Sequence, residues 1–135
     1  MNGWQTVVIR ILTTAIVGAA LASTVFALIL FAVSRELSLL LGVTFFGWLA
    51  ALPVSLVAVA VAGPLVDRMT PPRQRGSAKA GLVIAAAGAL VGAATMAVIW
   101  THQAEGAGLG ALYGGVIGGC WWFFSRASRT VRATP

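Results

Sequence analysis

Charge is nearly missing from this chain. Nine basic and three acidic residues are spread over 135 positions, 9% of the whole, where an ordinary soluble domain carries about a quarter. Together with a mean hydropathy of +0.96, this excludes a disordered chain and a conventional soluble enzyme. Cysteine occurs once, at Cys120, so no internal disulfide can form. Histidine also occurs once, at His102, which excludes a bis-histidine haem within one chain. His102 and Glu105 have i, i+3 spacing, but two ligands are too few for a metal site and read as a solvated loop pair. No Ser/His/Asp set is plausible, because His102 and Asp67 fall at opposite ends of the apolar runs. No Gly-rich phosphate loop follows a strand. The expectation is a protein without cofactor, metal or catalysis.

What is abundant is apolar sequence, 59% of the residues. A helix rises about 1.5 Å per residue and a bilayer core is about 30 Å thick, so a span needs roughly 20 apolar residues. Four stretches qualify, at about 6–33, 37–66, 80–100 and 107–124. They are continuous runs, without the alternation of barrel strands. The predicted fold class is therefore all-α, a polytopic membrane protein built as a four-helix bundle from a single domain, 1–135. Ala20-Leu21-Ala22 looks like a signal-peptidase site, but the apolar run continues to Phe31, longer than the roughly 7 to 15 residues of a cleaved signal.

Orientation follows from the connections. The link at 67–79 holds Arg68, Arg73, Arg75 and Lys79 against Asp67, and the tail at 125–135 holds Arg126, Arg129 and Arg132. Basic residues favour the cytoplasm. Four crossings put the link and both termini on one side, so the two basic segments agree on N-in/C-in. Trp4, Trp121 and Trp122 are expected as inner interfacial anchors and Trp100 as an outer one. Arg10 is placed near enough to the end of its span to snorkel. The net charge of +6 reads as this inside bias plus attraction to anionic lipid, at about 1 kcal/mol per basic residue. Nucleic acid is not expected as a partner, because the soluble segments are too short to fold into a module that binds it.

The fourth span is the most informative. Gly106, Gly110, Gly114 and Gly118 recur every four residues, and Gly115 and Gly119 form an adjacent stripe. On a helical wheel of 107–120, Ala107, Gly108 and Ala111 share one half with Gly110, Gly114, Gly115, Gly118 and Gly119, while Leu109, Leu112, Tyr113, Val116, Ile117 and Cys120 fill the other. Glycine costs about 1 kcal/mol relative to alanine in an aqueous helix. A glycine face in lipid therefore needs the close approach of another helix. The third span has a matching side of Gly81, Ala85, Gly88, Ala89 and Gly92, and a short outer loop makes the two spans antiparallel neighbours. Gly47, Ala51 and Ser55 in the second span and Thr14, Gly18 and Ala22 in the first repeat the spacing. The expected packing residues are Gly81, Gly88, Gly92, Gly110, Gly114, Gly115, Gly118 and Gly119. The small half of the fourth span is wider than one neighbour requires, so self-association or docking onto a larger membrane protein is expected.

Pro53 lies mid-span, where it marks a fixed bend or a hinge. Gly63-Pro64-Leu65-Val66-Asp67-Arg68 resembles the loop motif between the second and third helices of major facilitator transporters. The glycine that follows the acidic–basic pair in that family is replaced here by Met69-Thr70-Pro71-Pro72, and the chain has four spans where that family generally has twelve. The family's function is accordingly not carried over. Val17-Gly18-Ala19-Ala20 recurs as Val91-Gly92-Ala93-Ala94, as chance allows in so alanine- and glycine-rich a chain.

No ionisable residue lies near the centre of a span, which disfavours proton-driven antiport. Small four-helix multidrug exporters carry a glutamate in the first helix, where this chain has Arg10 near one end. Arginine outnumbers lysine eight to one, in keeping with a GC-rich bacterial genome. The reading is a multi-pass protein of a bacterial inner membrane. Its partners are the lipid bilayer and another membrane protein or a second copy, and its expected role is accessory or assembly subunit by lateral helix packing. The alternative is a homo-oligomeric uncoupled transporter or channel with Thr13, Ser23, Thr44, Ser55 and Thr95 lining a polar path.

Overall fold

The computed structural model describes residues 3–71, 77–99 and 103–130. Arg73, Arg75, Trp100, His102 and Arg132 lie outside the described residues. Four helices account for nearly everything described: α1 (Gly3–Ser34), α2 (Leu37–Met69), α3 (Ala78–Ile99) and α4 (Gln103–Thr130). Each is long and apolar enough to cross a membrane. The fold is all-α, a four-helix bundle with no strand among the described residues.

The ends have local causes. Arg35 takes a left-handed conformation with φ 61° and donates its N–H to the Phe31 carbonyl at 2.8 Å, so α1 closes on a left-handed cap. α2 ends at Thr70, whose N–H and hydroxyl both donate to the Val66 carbonyl, at 3.0 and 2.8 Å. Pro71 and Pro72 come next in the sequence and oppose further helix. Ser77 caps α3, accepting from the Ala80 N–H at 3.1 Å. Pro53 and Pro64 both lie inside α2. The stretch likened to a transporter loop is thus helical as far as Met69, and its register, described below, serves packing.

Laterally the order is α2, α1, α4, α3. α3 packs most extensively on α4, α1 on α2, and α1 also on α4, whereas α2 touches α4 only lightly and makes almost no contact with α3. Two antiparallel hairpins are therefore joined along α1 and α4, and the bundle stays open between α2 and α3. On α1 the buried core is made of small side chains: Thr14, Ala15, Ala19, Ala22, Ser23 and Ala27 are fully covered. Small residues permit close backbone approach, which in lipid replaces the hydrophobic drive available in water. Large apolar residues point outward, as Val98 does at 87% exposure, toward acyl chains instead of water.

Candidate functional site

Three features occupy the bundle: a glycine seam, a polar lock near the charged end, and a pair of furrows. In the seam, Gly88 lies against Gly114, Gly92 against Gly110, and Gly118 against Ile84 and Ala85. A Cβ at Gly118 would lie 2.8 Å from the Ile84 carbonyl oxygen, and one at Gly88 or Gly92 would strike the carbonyl oxygen of Gly114 or Gly110. Steps of four in one helix meet steps of four in the other, so one antiparallel register satisfies all the contacts. Gly115 sits one step aside, where a Cβ would stand 3.5 Å from that of Ala89. Gly81 holds the ring of Trp122, with Cδ2 at 2.7 Å from a built Cβ. Gly119 and Gly108 meet nothing within 4 Å. Most of the expected packing face is thus taken by the chain's own α3, and Gly119 is left over.

The polar lock ties α1, α2 and α4 together. Arg10 forms a salt bridge with Asp67, their side chains 17% and 24% exposed. The Arg10 guanidinium also lies 4.0 Å from the ring centre of Trp121, and the Trp121 indole N–H donates to Asp67 at 3.4 Å. A guanidinium over an indole face is a favourable cation–π arrangement, since indole is the best of the ring acceptors. Trp121 is 3% exposed and lies over Gly63, where a Cβ would come within 2.5 Å of the ring. Two expectations are corrected here. Arg10 is paired inside the bundle and does not snorkel, because Asp67 is within reach and pairing offsets the cost of burying the charge. Trp121 is a core residue and not an interfacial anchor, because Gly63 gives its ring a slot. Trp4 is exposed, and Trp122 is half-buried, with Arg126 5.8 Å from its ring centre. The sequence signal for the lock was available: Asp67 is the one aspartate, and Arg10 is the one cation inside an apolar run.

Of the basic residues singled out, Arg68, Lys79 and Arg126 are exposed at the end where α1 begins and α2 finishes. Arg129 lies in the last turn of α4. Arg35, Glu36 and Glu105 belong to the opposite end.

The larger furrow, about 1000 Å³, runs between α2 and α3 and is floored by α4. Its α2 wall extends over 38–66, or about 42 Å of helix, enough for the full depth of a bilayer core. Gly47, Ala51, Ala58 and Gly63 share that wall with Phe46, Val54 and Val66, Ala87 and Gly88 lie with Ile84 and Val91 on the opposite one, and Gly110 and Gly114 form part of the floor. Midway, the Ser23 and Tyr113 hydroxyls are hydrogen-bonded at 2.8 Å beside Gly47, so the polar groups there are satisfied. The smaller furrow, about 630 Å³, lies on the other side of α4 between α1 and α3, with Gly119 in its lining.

Comparison with family models, with curated proteins and with solved structures finds no match to this chain. The reading of function therefore stands on the geometry alone.

Proposed function

We propose that the chain is a non-catalytic membrane protein that receives a transmembrane helix of a larger partner in the furrow between α2 and α3. It would serve as an accessory or assembly subunit in a bacterial inner membrane, with both termini in the cytoplasm. The observation that carries this reading is that α2 and α3 face each other across an apolar furrow as long as a membrane is thick, with glycine and alanine on both walls. A single lipid covers one leaflet, whereas a membrane helix is continuous over about 30 Å. Gly47, Ala51, Ala58, Ala87 and Gly88 leave stretches of both walls open to backbone approach.

The alternative, a homo-oligomeric transporter or channel, finds less support. Of its five candidate lining residues, Thr13, Thr44, Ser55 and Thr95 donate to the carbonyl four residues back in their own helix, at 2.7–2.8 Å. The fifth, Ser23, is bonded to Tyr113.

The test fills the furrow without touching the seam. Ala58 and Ala87 are exposed on its two walls, so Ala58→Leu and Ala87→Leu should fold normally. Each variant is expected to lose a partner that the unaltered chain retains at fixed stoichiometry through purification in mild detergent. Retention by both variants would overturn the proposal. Gly114→Leu is unsuitable as a probe of partner binding, because it would break the contact with Gly88 first.

A further inference from the structure

The smaller furrow differs from the larger in depth, and the difference selects a different occupant. Its lining comes from 17–21 on α1, 78–85 on α3 and 116–124 on α4. These are the middle of α1 and the halves of α3 and α4 nearest the basic end. The α4 wall covers about 12 Å of rise, close to one leaflet of a bilayer core about 30 Å thick. A crossing helix would overrun a groove of this length, while an acyl chain entering from the near interface would fill it. The lining is almost wholly apolar, with Leu21, Leu82, Val116 and Phe123 around Gly119. Gly119 leaves open space where any other residue would place a Cβ.

Two exposed cations stand next to lining residues at the basic end of this furrow. Lys79 lies in the first turn of α3, one residue beyond the lining residue Ala78. Arg126 lies one turn beyond Trp122 on α4, with its guanidinium carbon 5.8 Å from that ring centre. The contact of Gly81 with Trp122 sets these two helix ends side by side. No carboxylate competes: Asp67 is held by Arg10, and Glu36 and Glu105 belong to the far end. The Trp122 indole N–H is buried and lacks an acceptor among the described residues.

We propose that this furrow binds an inner-leaflet anionic phospholipid, one acyl chain lying over Gly119 and the phosphate meeting Lys79 and Arg126. The chain supplies apolar contact that α1 and α3 leave unfilled, and the two cations supply a preference for negative head groups. The site is on the opposite side of α4 from the partner furrow, so it needs no partner helix; only its assignment to the inner leaflet rests on the orientation proposed above.

The experiment uses the full chain in mild detergent, mixed with equal amounts of phosphatidylglycerol and phosphatidylcholine and weighed intact by native mass spectrometry. One retained phosphatidylglycerol per chain is expected, in several-fold excess over phosphatidylcholine. Gly119→Leu should abolish retention of both, and Lys79→Gln with Arg126→Gln should make the two lipids equal. Glycerol phosphate, which has the head group and no chain, should not compete. Equal retention of both lipids by the unaltered chain would overturn the proposal. So would undiminished retention by Gly119→Leu. If Gly119→Leu does not fold, the double glutamine variant decides: an unchanged preference for phosphatidylglycerol rejects the site.

Discussion

At the scale of single residues, the Arg10–Asp67 pair shows how a nearly charge-free chain handles the charges it keeps. Each partner is mostly withdrawn from solvent, and Trp121 covers the pair from α4. Breaking a buried pair by removing one member costs about 3–5 kcal/mol, while replacing both by apolar residues is often neutral. The partial exposure here lowers the first figure. Asp67→Leu is expected to destabilise the protein by about 1–3 kcal/mol, and Arg10→Leu combined with Asp67→Leu should regain most of that loss. Thermal melting in detergent of the two single variants and the double variant measures it. A double variant as unstable as the sum of the singles would mean that the pair is not coupled.

Thr14 makes a complementary case. Its hydroxyl is buried without a partner among the described residues, although neighbouring Thr13 bonds back to Ile9 at 2.8 Å. A buried, unsatisfied hydroxyl carries a desolvation penalty of about 1–3 kcal/mol. Thr14→Val keeps the shape and removes the penalty, so its melting temperature is expected to rise. A fall would show that the hydroxyl has a bonded partner in the membrane-embedded protein.

At the scale of elements, the seam between α3 and α4 separates glycines by use. Gly88→Ala would drive a methyl group into the Gly114 carbonyl, and Gly92→Ala would do the same at Gly110. Backbone cannot yield there without parting the helices. Gly108 and Gly119 have open space, so alanine there costs no contact. Measured as melting in detergent, Gly88→Ala and Gly92→Ala should each lose about 2 kcal/mol or more, in the range of overpacking costs. Gly108→Ala should be neutral or gain up to about 1 kcal/mol from helix propensity. If all the variants behave alike, the seam is not the contact that holds α3 to α4.

The same seam marks how far the sequence could be read. Four helices and their antiparallel order were legible, because apolar length and glycine spacing are properties of single helices and of adjacent pairs. Which glycines were in use was not, since Gly114 and Gly119 fall toward opposite edges of one small half, and the sequence of α4 alone does not say which edge α3 covers. Trp121 was misread for a similar reason. An aromatic next to a basic tail fits an interface by composition, and only the approach of Gly63 from α2 makes a slot for it. Gly63-Pro64 was in turn likened to part of a transporter loop, because glycine and proline followed by charge look like the end of a helix. In an apolar setting the helix absorbs the missing donor and continues to Met69.

At the scale of the whole molecule, the decisive property is that two hairpins close on one side and stay apart on the other. Disulfide geometry can test this, because a bridge needs Cβ atoms about 3.5–4.5 Å apart and Cα atoms within about 7 Å. In a Cys120→Ser background, Ala89→Cys with Gly115→Cys places the Cβ atoms at 3.5 Å and should bridge readily. Ala58→Cys with Ala87→Cys spans the furrow, where α2 and α3 make almost no contact, and should not bridge in the isolated protein. Gel mobility after mild oxidation in detergent reads both pairs, and the first serves as a positive control for the second. Rapid bridging at 58 and 87 would mean that α2 and α3 close on each other, leaving no room for a partner helix. Absence of that bridge in detergent, together with its continued absence in native membrane, would hold the walls apart in both settings, as a seated helix requires.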